Sequence, residues 1–439
     1  MKKTALCLAL LGLLALGGQA LAVICAIDEV PAATLLLPYF DVDLSNPNGE
    51  TTLFSVNNAS ATAVLAHVVV WSDLSVPVLD FNIYLTGYDV QTVNLRDILV
   101  SGIIPRTASA GQDPGDTISP KGQFSQDINF ASCTGLLPTP TLPASFVAGL
   151  RASLTGVASS NLAGRCAGRA FGDNVARGYI TIDTVNSCTL LFPGDPGYFA
   201  PGGSGIATNQ NVLWGDYFYV NSAASFADGN PLVHIEASAT NPETSTSGNY
   251  TFYGRYDSPA WNAADNREPL ATNFAVRFLN GGVFDGGTDL LVWRDSKTNQ
   301  KPFTCPAANG NPPWYPLGQE GIVIFDEQEQ PQVPQQFPVS PQPTNPSLVP
   351  FPAEAQSTHV GGDALPVAPY DFGWLYLNLN TTVPGATGPS DLAAAQAWVT
   401  ARMTAQGKFS VGFDAAQLDS ACTAGTFTVS TSGALHFIP

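Results

Sequence analysis

Apolar residues recur along this chain mostly at the spacing of strands. Residues 32–40 (AATLLLPYF) form an extended apolar run that ends before the turn-forming sequence Asn46-Pro47-Asn48-Gly49. Residues 51–58 alternate, with Leu53 and Ser55 set against Phe54 and Val56, and 64–71 (VLAHVVVW) are rich in β-branched side chains. Two further alternating runs, 81–85 and 90–95, flank the turn Thr86-Gly87-Tyr88-Asp89. Short strands roughly every 8–12 residues with turn residues between them predict an antiparallel sandwich. A first immunoglobulin-like β-sandwich module is therefore expected over 23–105.

Residues 106–160 read as an irregular connection holding one short helix. Phe146, Val147, Leu150, Leu154 and Val157 recur at three- to four-residue spacing, which predicts that helix over 144–158. Strand patterns resume at 179–185 (YITIDTV), 216–220 (DYFYV), 232–237, 250–256, 274–279 and 290–293. They predict a second sandwich module over 161–330. Eight prolines in the 22 residues from Pro331 to Pro352 then predict an extended linker or surface strap over 331–358. In 359–439, residues 373–380 alternate and 409–413 and 427–430 read as strands, while 392–403 fits helix or strand. This stretch is small for an independent β domain and is expected to complete the second module. The fold class is all-β: two immunoglobulin-like antiparallel sandwiches with long irregular loops.

A faint internal repeat supports two related modules. An offset of 222 places Asn58 on Asn280, Val70 on Val292, Trp71 on Trp293 and Asp73 on Asp295. A shifted offset of 231 sets Tyr84 and Gly87 against Tyr315 and Gly318.

Residues 1–22 carry the features of a signal peptide: Lys2 and Lys3, an apolar stretch over 5–16, and the small-x-small site Ala20-Leu21-Ala22. Cys25 follows Val23 and Ile24, which does not fit a lipid-attachment box. Nothing downstream is apolar for long enough to form a membrane helix. Cys25, Cys133, Cys166, Cys188, Cys305 and Cys422 remain after processing. An even number of cysteines in an exported chain predicts up to three disulfides, and a Cys25–Cys422 pair would staple the two ends. The expected location is secreted or periplasmic, possible association with the cell surface included. The net charge of −18 excludes nucleic-acid binding, which needs clustered cations.

Catalytic signatures are missing: there is no G-x-S-x-G elbow, H-E-x-x-H pair or phosphate loop. Of the four histidines, His67 lies inside an apolar strand, and His234 shares a strand face with Glu236. Asp41, Asp43 and Glu50 surround one turn with hard oxygen ligands, a calcium candidate set against an ordinary turn. The sequence 285–289 (DGGTD) is a second acidic turn. Trp214, Tyr217 and Tyr219 are candidate ligand-binding aromatics; alternation puts Trp214 with Phe218 on one face and the two tyrosines on the other.

Residues 33–99, with 176–186 (ARGYITIDTVN), 209–220 (NQNVLWGDYFYV) and 373–380, resemble a family of exported bacterial β-sandwich-type proteins without an assigned activity. That resemblance implies export and fold, and it brings no catalytic residue. The expected function is that of a non-enzymatic surface, matrix or binding protein, self-associating or holding a carbohydrate or protein partner. A polysaccharide-active hydrolase is the alternative, with an outer-membrane barrel further off. The 32–40 run is also a candidate for pairing with a neighbour's sheet edge.

Overall fold

The computed structural model describes residues 30–107, 130–138, 141–237, 251–256, 265–296, 301–305, 312, 315–319, 321–332, 349–380, 396–418, 426–429 and 435–438. The leader over 1–22, the Cys25–Cys422 pair, the tract 333–348 and most of the connection between 108 and 140 lie outside these residues. Among the described residues the chain is all-β, with four antiparallel sheets, a separate hairpin and little helix.

The first sandwich uses β1 (Thr34–Asp43), β2 (Thr51–Asn58), β3 (Val64–Ser72), β4 (Pro77–Leu85), β5 (Val90–Asn94), β6 (Val175–Val185), β7 (Leu213–Trp214), β8 (Asp216–Asn221), β9 (Phe226–Pro231) and β10 (Val233–Ile235). One sheet runs β10-β1-β6-β3-β4; the facing sheet runs β5-β2-β8-β9, with β7 also on β2. β3 is buried along its whole length, so its sequence is a continuous apolar run rather than an alternation. The helix α1 (Ala144–Leu154) ends earlier than its periodicity suggests, because Gly156 takes a φ of +71°, outside the helical region.

The second sandwich uses β11 (Asn273–Leu279), β12 (Gly287–Arg294), β13 (Gly321–Asp326), β14 (Ala355–His359), β15 (Phe372–Asn378), β16 (Ala397–Ala405), β17 (Phe409–Asp414) and β18 (Ala416–Gln417). Its sheets run β13-β15-β11-β18 and β14-β12-β16-β17, around a core that includes Phe274, Val276, Phe278, Val292 and Leu375. β19 (Thr426–Val429) and β20 (Leu435–Ile438) pair with each other. Among the described residues each of the four sheets ends in two edges.

Strand pairing corrects several expectations. The first sandwich does not close at residue 105: β6 lies between β1 and β3, while β8 and β9 extend the sheet begun by β2. The second begins near 271 rather than 161, and β15 to β18 complete it. The apolar run in β1 is paired within the chain on both sides, with Leu35 opposite Ile182 and His234. The double pairing holds over Thr34–Leu36; from Leu37 to Asp43 the ladder continues on the β6 side. Residues 252–256 form a turn instead of a strand, because Tyr253 and Tyr256 are drawn into the interior between the sandwiches.

The repeat, in contrast, is built into the topology. β2, β3, β4, β5, β6 and β8 pair among themselves as β11, β12, β14, β15, β16 and β18 do, in the same chain order. The aligned asparagines make matching bonds. Asn58 Nδ2 donates to the carbonyl of Thr86 just past β4 (2.9 Å), and Asn280 Nδ2 to that of Val360 just past β14 (2.8 Å). The 231 offset fails, since Tyr315 and Gly318 precede β13 while the counterpart of β4 is β14. Asn58→Ala and Asn280→Ala should each cost about 1–3 kcal/mol, because each leaves backbone groups unpaired at a strand end. Urea denaturation of the two variants checks this; a loss at only one position would break the equivalence.

The two sandwiches share an interior. Trp71 stacks on Tyr179 at 5.7 Å, and its repeat partner Trp293 meets Tyr179 edge-on at 6.0 Å. The carbonyl of Asp73 accepts from the backbone N–H groups of Glu354 and Ala355, at the start of β14. Two disulfides form, Cys133–Cys188 and Cys166–Cys305, with Cα separations of 4.9 and 5.5 Å. The second ties the loop after α1 to the segment between β12 and β13. That tie crosses from one sandwich to the other.

Candidate functional site

The turn at 43–50 is occupied by an arginine. Arg96, just after β5, donates to the carbonyls of Asp43 and Asn46 at 2.7 Å and of Gly49 and Glu50 at 2.9 Å. These are the backbone oxygens a calcium ion would use. Asp43 Oδ1 accepts from the N–H groups of Ser45 (2.9 Å) and Asn46 (3.0 Å), an ordinary turn cap that holds its carboxyl below the usual range despite partial burial. Asp41 and Glu50 turn instead toward Arg402 of β16. Arg402 donates to Glu50 Oε1 at 2.6 Å and lies over the rings of Tyr219 (5.3 Å) and Phe226 (5.1 Å). Burial, with the charge of Glu50 added, pushes the Asp41 carboxyl up to about 8. Among the described residues no group of three or more His, Cys, Asp and Glu side chains converges to hold a metal ion.

The aromatic cluster divides by face. Tyr217 and Tyr219 are 1% and 0% exposed and belong to the core, Tyr219 donating its hydroxyl to the carbonyl of Tyr39 at 2.6 Å. Neither is available to a ligand, which corrects their place among the binding candidates. Trp214 (42%) and Phe218 (46%) are on the outer face with Val90. A second exposed aromatic row, Phe372 and Trp374, stands on β15 of the other sandwich.

Most concentrated charge is walled in. Asp183, near the C-terminal end of β6, accepts from Thr34 Oγ1 (2.5 Å), Tyr198 Oη (2.6 Å) and Tyr253 Oη (2.9 Å), with Arg267 Nε 3.6 Å away. Arg255 bridges Glu354 (2.7 Å) and Asp295 (3.3 Å), and Ser75 bonds the same Glu354. Burial raises the Glu354 carboxyl while Arg255 opposes the shift. Sequence reasoning missed both networks. One signal was present: an aspartate inside a β-branched strand such as YITIDTV needs a buried partner.

His67 is fully buried, its Nδ1 3.1 Å from Asn82 Oδ1, and burial lowers its pKa, so it stays neutral. His234 Nδ1 lies 2.7 Å from the carbonyl of Val30. His359 differs from both. It is exposed at the rim of a cleft of about 590 Å³, formed by the 280–287 turn, residues 359–361 and 367–371, and Gln406. His359 Nδ1 stands 2.8 Å from Asp289 Oδ1. A carboxylate accepts, so the ring proton sits on Nδ1 and Nε2 is the acceptor of the neutral ring. Asp285 and Asp371 line the same cleft, and Asp285 Oδ1 accepts from the N–H of Gln406 at 2.8 Å. The acidic turn 285–289 thus contributes a wall and a histidine partner.

No protein-family model matches this chain, and comparison with curated proteins and with solved structures finds no match either.

Proposed function

We propose that this chain is an exported, non-enzymatic binding protein of the cell surface or extracellular matrix. The observation that carries the reading is where the chemistry lies. The Asp183–Arg267 and Arg255–Glu354–Asp295 networks are shut inside, while the outer sheet faces display Trp214, Phe218, Phe372 and Trp374 to solvent. Two disulfides fit an oxidising compartment, and no described helix is long and apolar enough to cross a membrane. An immunoglobulin-like kinship is part of the proposal, supported by facing antiparallel sheets with a core tryptophan, Trp71 or Trp293, in each repeat. Purified mature protein should cosediment with isolated cell envelopes or matrix from the producing cell. A protein left wholly in the supernatant would overturn the reading.

A hydrolase acting on polysaccharide is the second reading, favoured by the Asp289-oriented His359 beside Asp285 and Asp371 in one cleft. Release of reducing sugar from a polysaccharide panel, abolished by His359→Ala, would establish it. No release by the unaltered protein would dismiss it.

A further inference from the structure

We propose that the corner where β9 meets β17 is a proton-held clasp: one proton shared by Asp41 and Glu50 keeps Arg402 seated there, and its loss opens the corner while both sandwiches stay folded. Such a device operates whatever the outer sheet faces bind.

The clasp follows from topology. β9 is the last strand of the sheet β5-β2-β8-β9, and β17 is the last of β14-β12-β16-β17. The two edges lie against each other at the junction of the sandwiches. Ser410 Oγ of β17 donates to the carbonyl of Ala227 in β9 at 2.6 Å. Gly412 allows the approach, since a Cβ there would come within 2.5 Å of Asp228 Oδ1. Each edge thus covers the other, as exposed strand edges in folded proteins generally need.

Charge at this corner is unbalanced. Arg402 of β16 stands opposite Gly412 of β17. Four carboxyl groups from four elements face its guanidinium: Asp41 of β1, Glu50 of the turn before β2, Asp228 of β9 and Asp289 of β12. Arg402 lies 2.6 Å from Glu50 and 3.8 Å from Asp289 Oδ2. The other charges are committed. Arg177, opposite Asp41 in the ladder, pairs with Asp173 at 2.5 Å, and His359 takes the second oxygen of Asp289. Burial keeps the hydroxyls of Tyr39 and Tyr219 neutral.

One proton offsets the excess. Asp41 and Glu50 meet in a side-chain hydrogen bond, and two carboxylates have no hydrogen to share, so one of the pair is protonated. Asp41 Oδ1 is buried without a donor, which leaves an ionised Asp41 poorly solvated. Burial, then the charge of Glu50, lifts the Asp41 carboxyl to about 8. Burial lifts Asp228 as well, against the pull of Arg402. When Asp41 ionises, water must reach it, and the boundary with the fewest ties yields. Elsewhere the junction has the Trp71–Tyr179–Trp293 contacts and the Cys166–Cys305 bond. The corner has the Arg402–Glu50 pair and the Ser410 bond.

The closed corner binds a proton that an opened, solvated Asp41 releases. Opening therefore becomes easier as pH rises toward 8 and levels off above it, with a one-proton limit of about tenfold per pH unit. Hydrogen-exchange mass spectrometry of the mature, oxidised protein, corrected for intrinsic rates, reads this opening. Protection of 226–231 and 409–414 should fall by about tenfold or more from pH 6 to pH 8, while β3 and β12 keep theirs. Asp41→Asn should remove the step, Glu50→Gln should remove most of it, and His359→Gln should leave it in place. Equal protection at the two pH values in the parent overturns the clasp. So does a step that survives Asp41→Asn, disappears with His359→Gln, or spreads equally to β3 and β12. Should Asp41→Asn not fold, Glu50→Gln decides, because a full step in that variant rejects a shared proton.

Discussion

Arg267→Ala is expected to lower stability by about 3–5 kcal/mol, the usual consequence of stranding a buried charge. Arg267 is 1% exposed and pairs with two buried carboxylates, 3.6 Å from Asp183 and 3.7 Å from Asp265. Its Nε also donates to Thr34 Oγ1, and its second terminal nitrogen to the carbonyl of Thr208 at 3.1 Å. Removing it leaves a buried carboxylate near the end of β6 held by the neutral donors Thr34, Tyr198 and Tyr253. Arg267→Lys should recover little, because one ammonium cannot span Asp183, Asp265 and the Thr208 carbonyl together. Pairing Arg267→Met with Asp183→Asn should recover part of the loss, since the charge then leaves with its partner. Urea denaturation midpoints decide it. A variant within about 0.5 kcal/mol of the parent, the range of ordinary surface changes, would mean that the network contributes little.

Asp41→Asn is expected to stabilise the protein at alkaline pH and to flatten its pH dependence. The sign follows from the proton balance. In the folded chain the Asp41 carboxyl titrates near 8, whereas its ordinary value is 3.8. Between those values the folded state holds a proton that the unfolded state has released, so stability falls as pH rises through the window. The contribution is fully present below pH 4 and gone above pH 8. Asparagine never ionises, and it keeps the shape of the protonated acid. The expected gain at pH 8 is on the order of 2–3 kcal/mol, discounted because the residue keeps some contact with solvent. Thermal unfolding followed from pH 5 to pH 8.5 measures it; parallel curves for parent and variant would rule it out.

The elements that were legible in the sequence are those encoded locally. Alternation placed β2, β5, β11 and β15, and it separated the outward Trp214 and Phe218 from the inward Tyr217 and Tyr219. Asn58 and Asn280 were readable as equivalents because each serves its own strand end. The boundaries of the sandwiches were not legible, since nothing in YITIDTV states that β6 inserts between two strands formed more than a hundred residues earlier. The Asp183–Arg267 pair was hidden for the same reason. Acidic residues around a turn, by contrast, suggested a metal where Arg96 already supplies the positive charge.

The position of β1 sets a schedule for assembly. This strand, nearest the beginning of the described chain, has its ladder partners in β6 and β10, with Leu36 opposite Thr181 and Val233. Pairings so distant in sequence close large loops and form slowly. The first sandwich therefore cannot seal until synthesis has passed residue 235. Until then the emerging chain can form its local pairings, β3 with β4 and β2 with β5, but not the sheet that joins them to its first strand.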